Sequence, residues 1–174
     1  MNNQVQRYGR NIIVSLIDQK GNEQDIGEEY EANVRMLDNP NVRYIAFDFH
    51  EECKNNNYSK LQALVTTIER ATLESRYFLK DMNGKILCEQ TGNIRTNCID
   101  CLDRTNVAQS QFGRFMLKEQ LANLGLISKN SDFDRNLLNI LNNVWANNAD
   151  TLSTRYTGIA LSVFFLFIAL FSFI

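Results

Sequence analysis

A cysteine and an arginine stand at Cys98 and Arg104 with five residues between them, followed at once by Thr105, inside the stretch RTNCIDCLDRTN at residues 95–106. That spacing suits a short loop closed around an oxyanion. A phosphate held there needs a thiolate beneath its phosphorus, a planar guanidinium gripping two oxygens, and backbone N–H groups pointing inward where the loop enters a helix N-terminus. Cys98 is therefore the expected nucleophile. A helix end and a neighbouring cation can each lower a thiol well below its free value of about 8.5, so Cys98 is expected to ionise near neutral pH. Arg104 would hold the phosphoryl oxygens and stabilise the transition-state charge through a fork that lysine cannot copy. Thr105 could donate its hydroxyl to the departing thiolate.

The leaving alkoxide needs a proton, and three aspartates compete to supply it. Asp100 is the first choice because a side chain from mid-loop can face the site. Asp103 adjoins Arg104 and is expected to buttress it, and Asp48 ends a strand elsewhere. Two carboxylates facing one phosphate would repel it, so at most one points at the substrate, and spacing alone leaves open which.

A metal site is the rival chemistry. Cys98 and Cys101 form a CxxC pair and His50 with Cys53 an HxxC pair, together the ligand set of a Cys3His zinc centre. Zinc knuckles usually carry a glycine turn at the paired cysteines, whereas Ile99, Asp100, Leu102 and Asp103 fill this loop. His50, the single histidine, otherwise reads as a hydrogen-bonding residue at a strand end that supports the site together with Asp48. Cys53 and Cys88 read as small buried hydrophobes and Trp145 as core.

The elements that position these groups alternate. Residues 11–18 (NIIVSLID) form a buried strand ending in a turn, and residues 23–37 a helix whose core stripe is Ile26, Tyr30, Val34 and Leu37, stopped by Pro40. Residues 42–50 (VRYIAFDFH), rich in β-branched and aromatic types, are the expected central strand, with Asp48, His50, Glu51, Glu52 and Cys53 clustered at its end. A helix over residues 58–73 follows, with Leu61, Leu64, Val65 and Ile68 on one face. Asn83-Gly84 predicts a hairpin turn. Helices are expected over residues 106–121, with Arg104 in the first turn, and over residues 133–147. Such alternation predicts an α/β fold, a mixed and largely parallel sheet flanked by helices, with the Cys-x5-Arg loop between strand and helix.

With 174 residues the chain has the size of one domain, and its formal charge of −2 gives no global attraction for nucleic acid. The polar start MNNQVQRYGRN is no signal peptide, so the four cysteines are expected to be reduced thiols facing the cytosol. From residue 156 to residue 174 there is no charge. A stretch of about 18 apolar residues can cross a bilayer, so a membrane span and the read-through of a truncated gene model are the two readings of the tail at residues 158–174.

RTNCIDCLDRTNVAQ resembles the signature of the Sac-domain phosphoinositide phosphatases. NIIVSLIDQKGNE, YIAFDFHEEC and WANNADTLSTRYTG resemble that family's other segments in order, and HEEC and WANNAD look most like its endoplasmic-reticulum member. The resemblance runs from about residue 8 to about residue 158. It implies that residues 1–157 are the C-terminal part of a catalytic domain whose N-terminal subdomain precedes Met1. It implies removal of phosphate from membrane phosphoinositides, chiefly the 4-phosphate and also the 3-phosphate of singly phosphorylated lipids, with neither metal nor cofactor. Carried over by position, Cys98 is the nucleophile, Arg104 the phosphate-binding arginine and Asp100 the acid, while Arg95, Asn97, Ile99, Cys101, Leu102, Asp103, Thr105 and Asn106 surround the substrate. Lipids are the implied partners, at a membrane of the endoplasmic reticulum or Golgi with the catalytic face in the cytosol. A membrane-tethered binding or scaffold module that keeps the loop without turnover is the alternative, and the zinc module is third.

Overall fold

An unbroken apolar run forms the middle of the sheet. Strand β1 (Arg10–Ser15) buries every residue after Arg10, and Ile12, Ile13 and Val14 have no exposed surface, as expected of a parallel strand covered on both faces. Strands β2 (Val42–Ala46) and β5 (Gly92–Asn97) lie parallel on its two sides, in the order β2-β1-β5. Ser15 stands opposite both Ala46 and Asn97. The three connections that leave these strand ends therefore gather at one end of the sheet, where α/β folds place their chemistry. This computed structural model describes residues 1–54 and 59–158. The tail beyond Gly158 and the helix start expected at Tyr58 lie outside the described residues.

Residues 42–50 are not the central strand. Their strand stops at Ala46, occupies an edge, and leaves Arg43 and Ala46 exposed. The short helix α3 (Phe49–Glu52) then begins, capped by Asp48. Aromatic richness marks a strand, but burial on both faces marks the middle one, and β1 alone has it.

Helices α4 (Ser59–Ser75) and α5 (Asp103–Asn123) cover one face of the sheet. Leu61, Leu64, Val65 and Ile68 of α4 meet Ile12, Val14 and Leu16 from the β1 side and Val107, Ala108 and Phe112 of α5 in one core. Each such side chain contributes about 1.5–3 kcal/mol by leaving water. Helix α2 (Gln24–Met36) follows a 3-10 turn at Gly21–Glu23 but does not bury the expected stripe. Ile26 is 52% exposed, and no residue of α2 is fully buried. Tyr30 makes a ring contact with Tyr44 at 6.1 Å. Strands β3 (Leu79–Lys80) and β4 (Ile86–Cys88) form the hairpin that Asn83-Gly84 predicts, with Gly84 at φ +83°. Helix α6 (Arg135–Thr157) outruns its expected end at residue 147, and a short N-terminal helix α1 (Asn2–Tyr8) precedes β1. Among the described residues no helix is long and apolar enough to cross a membrane.

Gly92 opens β5 where the end of α4 crosses beneath it. A Cβ there would lie 2.5 Å from Ser75 Oγ and 2.7 Å from the Arg10 carbonyl oxygen. The carbonyl belongs to the β1–β5 ladder and cannot yield without breaking register. Gly92→Ala is therefore expected to cost about 3 kcal/mol, the upper end of the overpacking range, as measured by urea unfolding.

Candidate active site

The connection between β5 and α5 comprises residues 98–102, and Arg104 lies in the first turn of α5 as expected. Cys98 sits at its floor, 9% exposed and packed against the core. Cys101 closes the loop from within. Its sulfur accepts the Cys98 backbone N–H at 3.4 Å and its thiol donates to the Cys98 carbonyl at 3.5 Å, while its backbone takes the left-handed conformation at φ +58°. Asp100 Oδ1 accepts the Leu102 N–H at 3.1 Å and lies 3.9 Å from Cys98 Sγ, within reach of the thiol proton.

Arg104 is gripped from across the sheet. Its Nη1 and Nη2 donate to the two carboxylate oxygens of Glu23, both at 2.8 Å. Nη1 also donates to the Leu16 carbonyl and to Asp18 Oδ1, each at 3.3 Å. The guanidinium is 12% exposed, and Glu23 and Asp18 are 20% and 24% exposed. Hydrogen bonding to Glu23 holds Arg104 firmly charged against the opposing effect of burial. The same contact holds Glu23 below its ordinary carboxylate value. Asp18 in turn accepts from His50 Nδ1 at 2.9 Å.

Several expected site residues take other duties. Asp48 has both carboxylate oxygens engaged: they accept the Glu51 N–H, capping α3, and the Gln19 N–H, each at 2.9 Å. That fixes the β1–α2 turn, so Asp48 supports the site by holding the segment that carries Asp18. Asn106 is not free for substrate. It is 2% exposed, donates to the Trp145 carbonyl at 3.1 Å and accepts from Asn148 at 2.8 Å, docking α6 on α5. Asn97 donates to Ser15 Oγ at 3.2 Å. Arg95 is exposed on β5, opposite Ile13. Thr105 is 8% exposed, and its hydroxyl is buried without a hydrogen-bond partner among the described residues. Ile99 and Cys101 are exposed and Leu102 half-buried around the loop. Among the described residues no group of three or more His, Cys, Asp or Glu side chains is arranged to hold a metal, so the Cys3His set is not assembled there. All four cysteines are free.

The thiol departs from expectation in its ionisation. Burial raises Cys98 above its ordinary value of 9.0, and the Arg104 charge and loop hydrogen bonds pull it back only in part. Burial and the neighbouring Asp100 carboxylate likewise raise Asp103. Burial thus favours the protonated Cys98 thiol in the free protein. Its alkylation by iodoacetamide, followed by mass spectrometry, is expected to climb through a midpoint above 9.0; a rate already at its plateau at pH 7 would contradict this.

Sequence reading missed Asp18 and Glu23. Both lie in what looks like an ordinary polar turn, 86 and 81 residues before Arg104. The available signal was an aspartate closing an unbroken apolar strand.

The model of the SacI homology domain matches residues 1–54. The chain is 38% identical over 157 residues to phosphatidylinositide phosphatase SAC2 of Danio rerio, covering 90% of this chain and 14% of that protein. It is 39% identical over 161 residues to phosphatidylinositol-3-phosphatase SAC1-A of Danio rerio, covering 89% and 27%. To phosphatidylinositol-3-phosphatase SAC1 of Saccharomyces cerevisiae it is 37% identical over 163 residues, covering 89% and 26%. The chain thus spans between 14% and 27% of the length of these relatives. The first 54 residues match the SacI homology domain and nine-tenths of the chain aligns with these phosphatases at 37–39% identity, so this chain is a relative of the SacI homology family.

Proposed function

We propose that the loop at residues 98–104 hydrolyses the phosphomonoester of phosphatidylinositol phosphates through a phosphocysteine intermediate. The supporting observation is the convergence, at one end of the parallel strands, of the Cys98 thiol, the Asp100 carboxylate 3.9 Å from it and the Arg104 guanidinium. Starting from the protonated thiol that burial favours, the nucleophile sheds a proton as it attacks. Asp100 takes it. The sulfur–phosphorus bond forms, the bond from phosphorus to the inositol oxygen breaks, and Asp100 returns the proton to that oxygen. In this scheme one carboxylate is both acceptor and acid. Water then attacks the phosphocysteine and gives a proton to Asp100, the sulfur–phosphorus bond breaks, inorganic phosphate leaves, and Asp100 returns the proton to the Cys98 sulfur. The buried Thr105 hydroxyl has no partner among the described residues and is available to the departing thiolate.

Relatives named as phosphatidylinositol-3-phosphatases favour a singly phosphorylated lipid, and the signature resemblance puts the 4-phosphate first. Such a substrate would place the chain at a membrane, on the cytosolic side of the endoplasmic reticulum or Golgi. The test is phosphate release from vesicles carrying the 3-phosphate or the 4-phosphate, with the full chain and with Cys98→Ser. A second reading, phosphate binding without turnover, is favoured by the raised Cys98 thiol. Phosphate-dependent protection of Cys98 without any release would select it.

A further inference from the structure

Glu23 ends the 3-10 turn that runs directly into α2, and its side chain makes no hydrogen bond to the N–H groups at the start of that helix. Its carboxylate points the other way, accepting the Asp18 N–H at 3.1 Å and both ends of the Arg104 guanidinium at 2.8 Å. A carboxylate that bonds both ends of an arginine from another element serves a distant purpose.

The donor count shows what that purpose is. A guanidinium has five N–H donors. Glu23 takes one on each terminal nitrogen, and the other hydrogen of Nη1 serves Leu16 and Asp18. Among the described residues, the donors left are Nε–H and the second Nη2–H. They lie side by side on one edge and form the fork that fits two phosphoryl oxygens. Asp18 is itself fixed by His50 at 2.9 Å, and the turn that carries it by Asp48 through Gln19. The guanidinium therefore cannot rotate to offer a different edge without giving up several charged hydrogen bonds.

We propose that Glu23, assisted by Asp18, is a positioning residue that presents the Nε–Nη2 edge of Arg104 to the phosphate. This rests on Arg104 being the phosphate-binding arginine. A displaced guanidinium would weaken anion binding even with the loop intact, and misplacement of about 1 Å can cost roughly 100-fold.

The probe is inorganic phosphate. Its dissociation constant for the full chain is read from the concentration at which it protects Cys98 against iodoacetamide, which needs no turnover. Glu23→Gln keeps the side chain's shape but can accept at only one of its two ends. It is expected to weaken phosphate about 10- to 100-fold at a temperature well below its own melting midpoint. Asp18→Asn, which loosens a single 3.3 Å contact, is expected to weaken it several-fold, and it serves should Glu23→Gln fail to fold. A role in stability alone would lower the melting midpoint and leave the phosphate constant unmoved, which would overturn the proposal. Arg104→Lys separates the two levels. If it weakens phosphate while the Glu23 and Asp18 variants do not, positioning is wrong and the arginine's role stands. If it leaves phosphate binding unchanged, the assignment of Arg104 itself falls.

Discussion

Cys98→Ser is expected to lower phosphate release from phosphatidylinositol monophosphate vesicles by about 10,000-fold or more, to the limit of detection. The substitution exchanges sulfur for oxygen at a site 9% exposed and keeps a donor for Asp100, so the melting midpoint should move little. Chemistry is what it removes. Sulfur is a strong nucleophile once its proton passes to Asp100, whereas an alcohol in the same place ionises far less readily and has no base other than that one carboxylate. A phosphocysteine should be trappable by acid quench in the wild-type protein and absent from the variant. Release at the wild-type rate by Cys98→Ser would place the nucleophile elsewhere.

Arg104→Met carries the second large effect, and most of it falls on the partners. The replacement fits the side-chain volume and leaves the Glu23 and Asp18 carboxylates, 20% and 24% exposed, without the guanidinium between them. Breaking a buried pair by removing one member typically costs about 3–5 kcal/mol, because a charge is stranded out of water. These groups keep some solvent, so about 3 kcal/mol in urea unfolding is the expected loss. The pH dependence identifies the cause. Glu23 has its folded pKa held below the ordinary 4.5, so its stabilising contribution is complete above that value and disappears as the pH falls through the lower, folded one. In Arg104→Met the largest cause of that depression is gone, and the gap between wild type and variant should narrow on acidification below pH 4.5. A gap that stays constant to lower pH would assign the loss to packing rather than charge.

Much of the frame was legible in order and type. The apolar run of β1, the Leu61 to Ile68 stripe of α4 and the Asn-Gly turn each carry a periodicity or a turn requirement that a local reading detects. Centrality was not local. Val42–Ala46 is as rich in strand formers as β1, yet its exposed Arg43 marks an edge. The second half of α6 was hidden for another reason: its buried residues, Ala149 and Ser153, are small and carry no hydropathy signal at their four-residue spacing. In the site, Cys98, Arg104 and Asp100 share one short segment and could be grouped by spacing. The clamp could not, since Glu23 and Asp18 reach Arg104 only because β1 and β5 lie side by side. The resemblance places Asn106 around the substrate, and its hydrogen bond to the Trp145 carbonyl, 39 positions away, carries no local signal.

The place of β1 between its two parallel neighbours also sets a schedule for biosynthesis. Ser15 meets Asn97 from 82 positions further along the chain, and at roughly 5–20 residues per second that distance takes about 4–16 seconds to translate. Until then the most apolar strand of the protein has at most one partner at its side, and the helices that cover it are incomplete. A ribosome-bound intermediate with an open, adhesive flank follows from the topology itself. Yield in cells should accordingly depend on chaperones that shield that flank before β5 emerges.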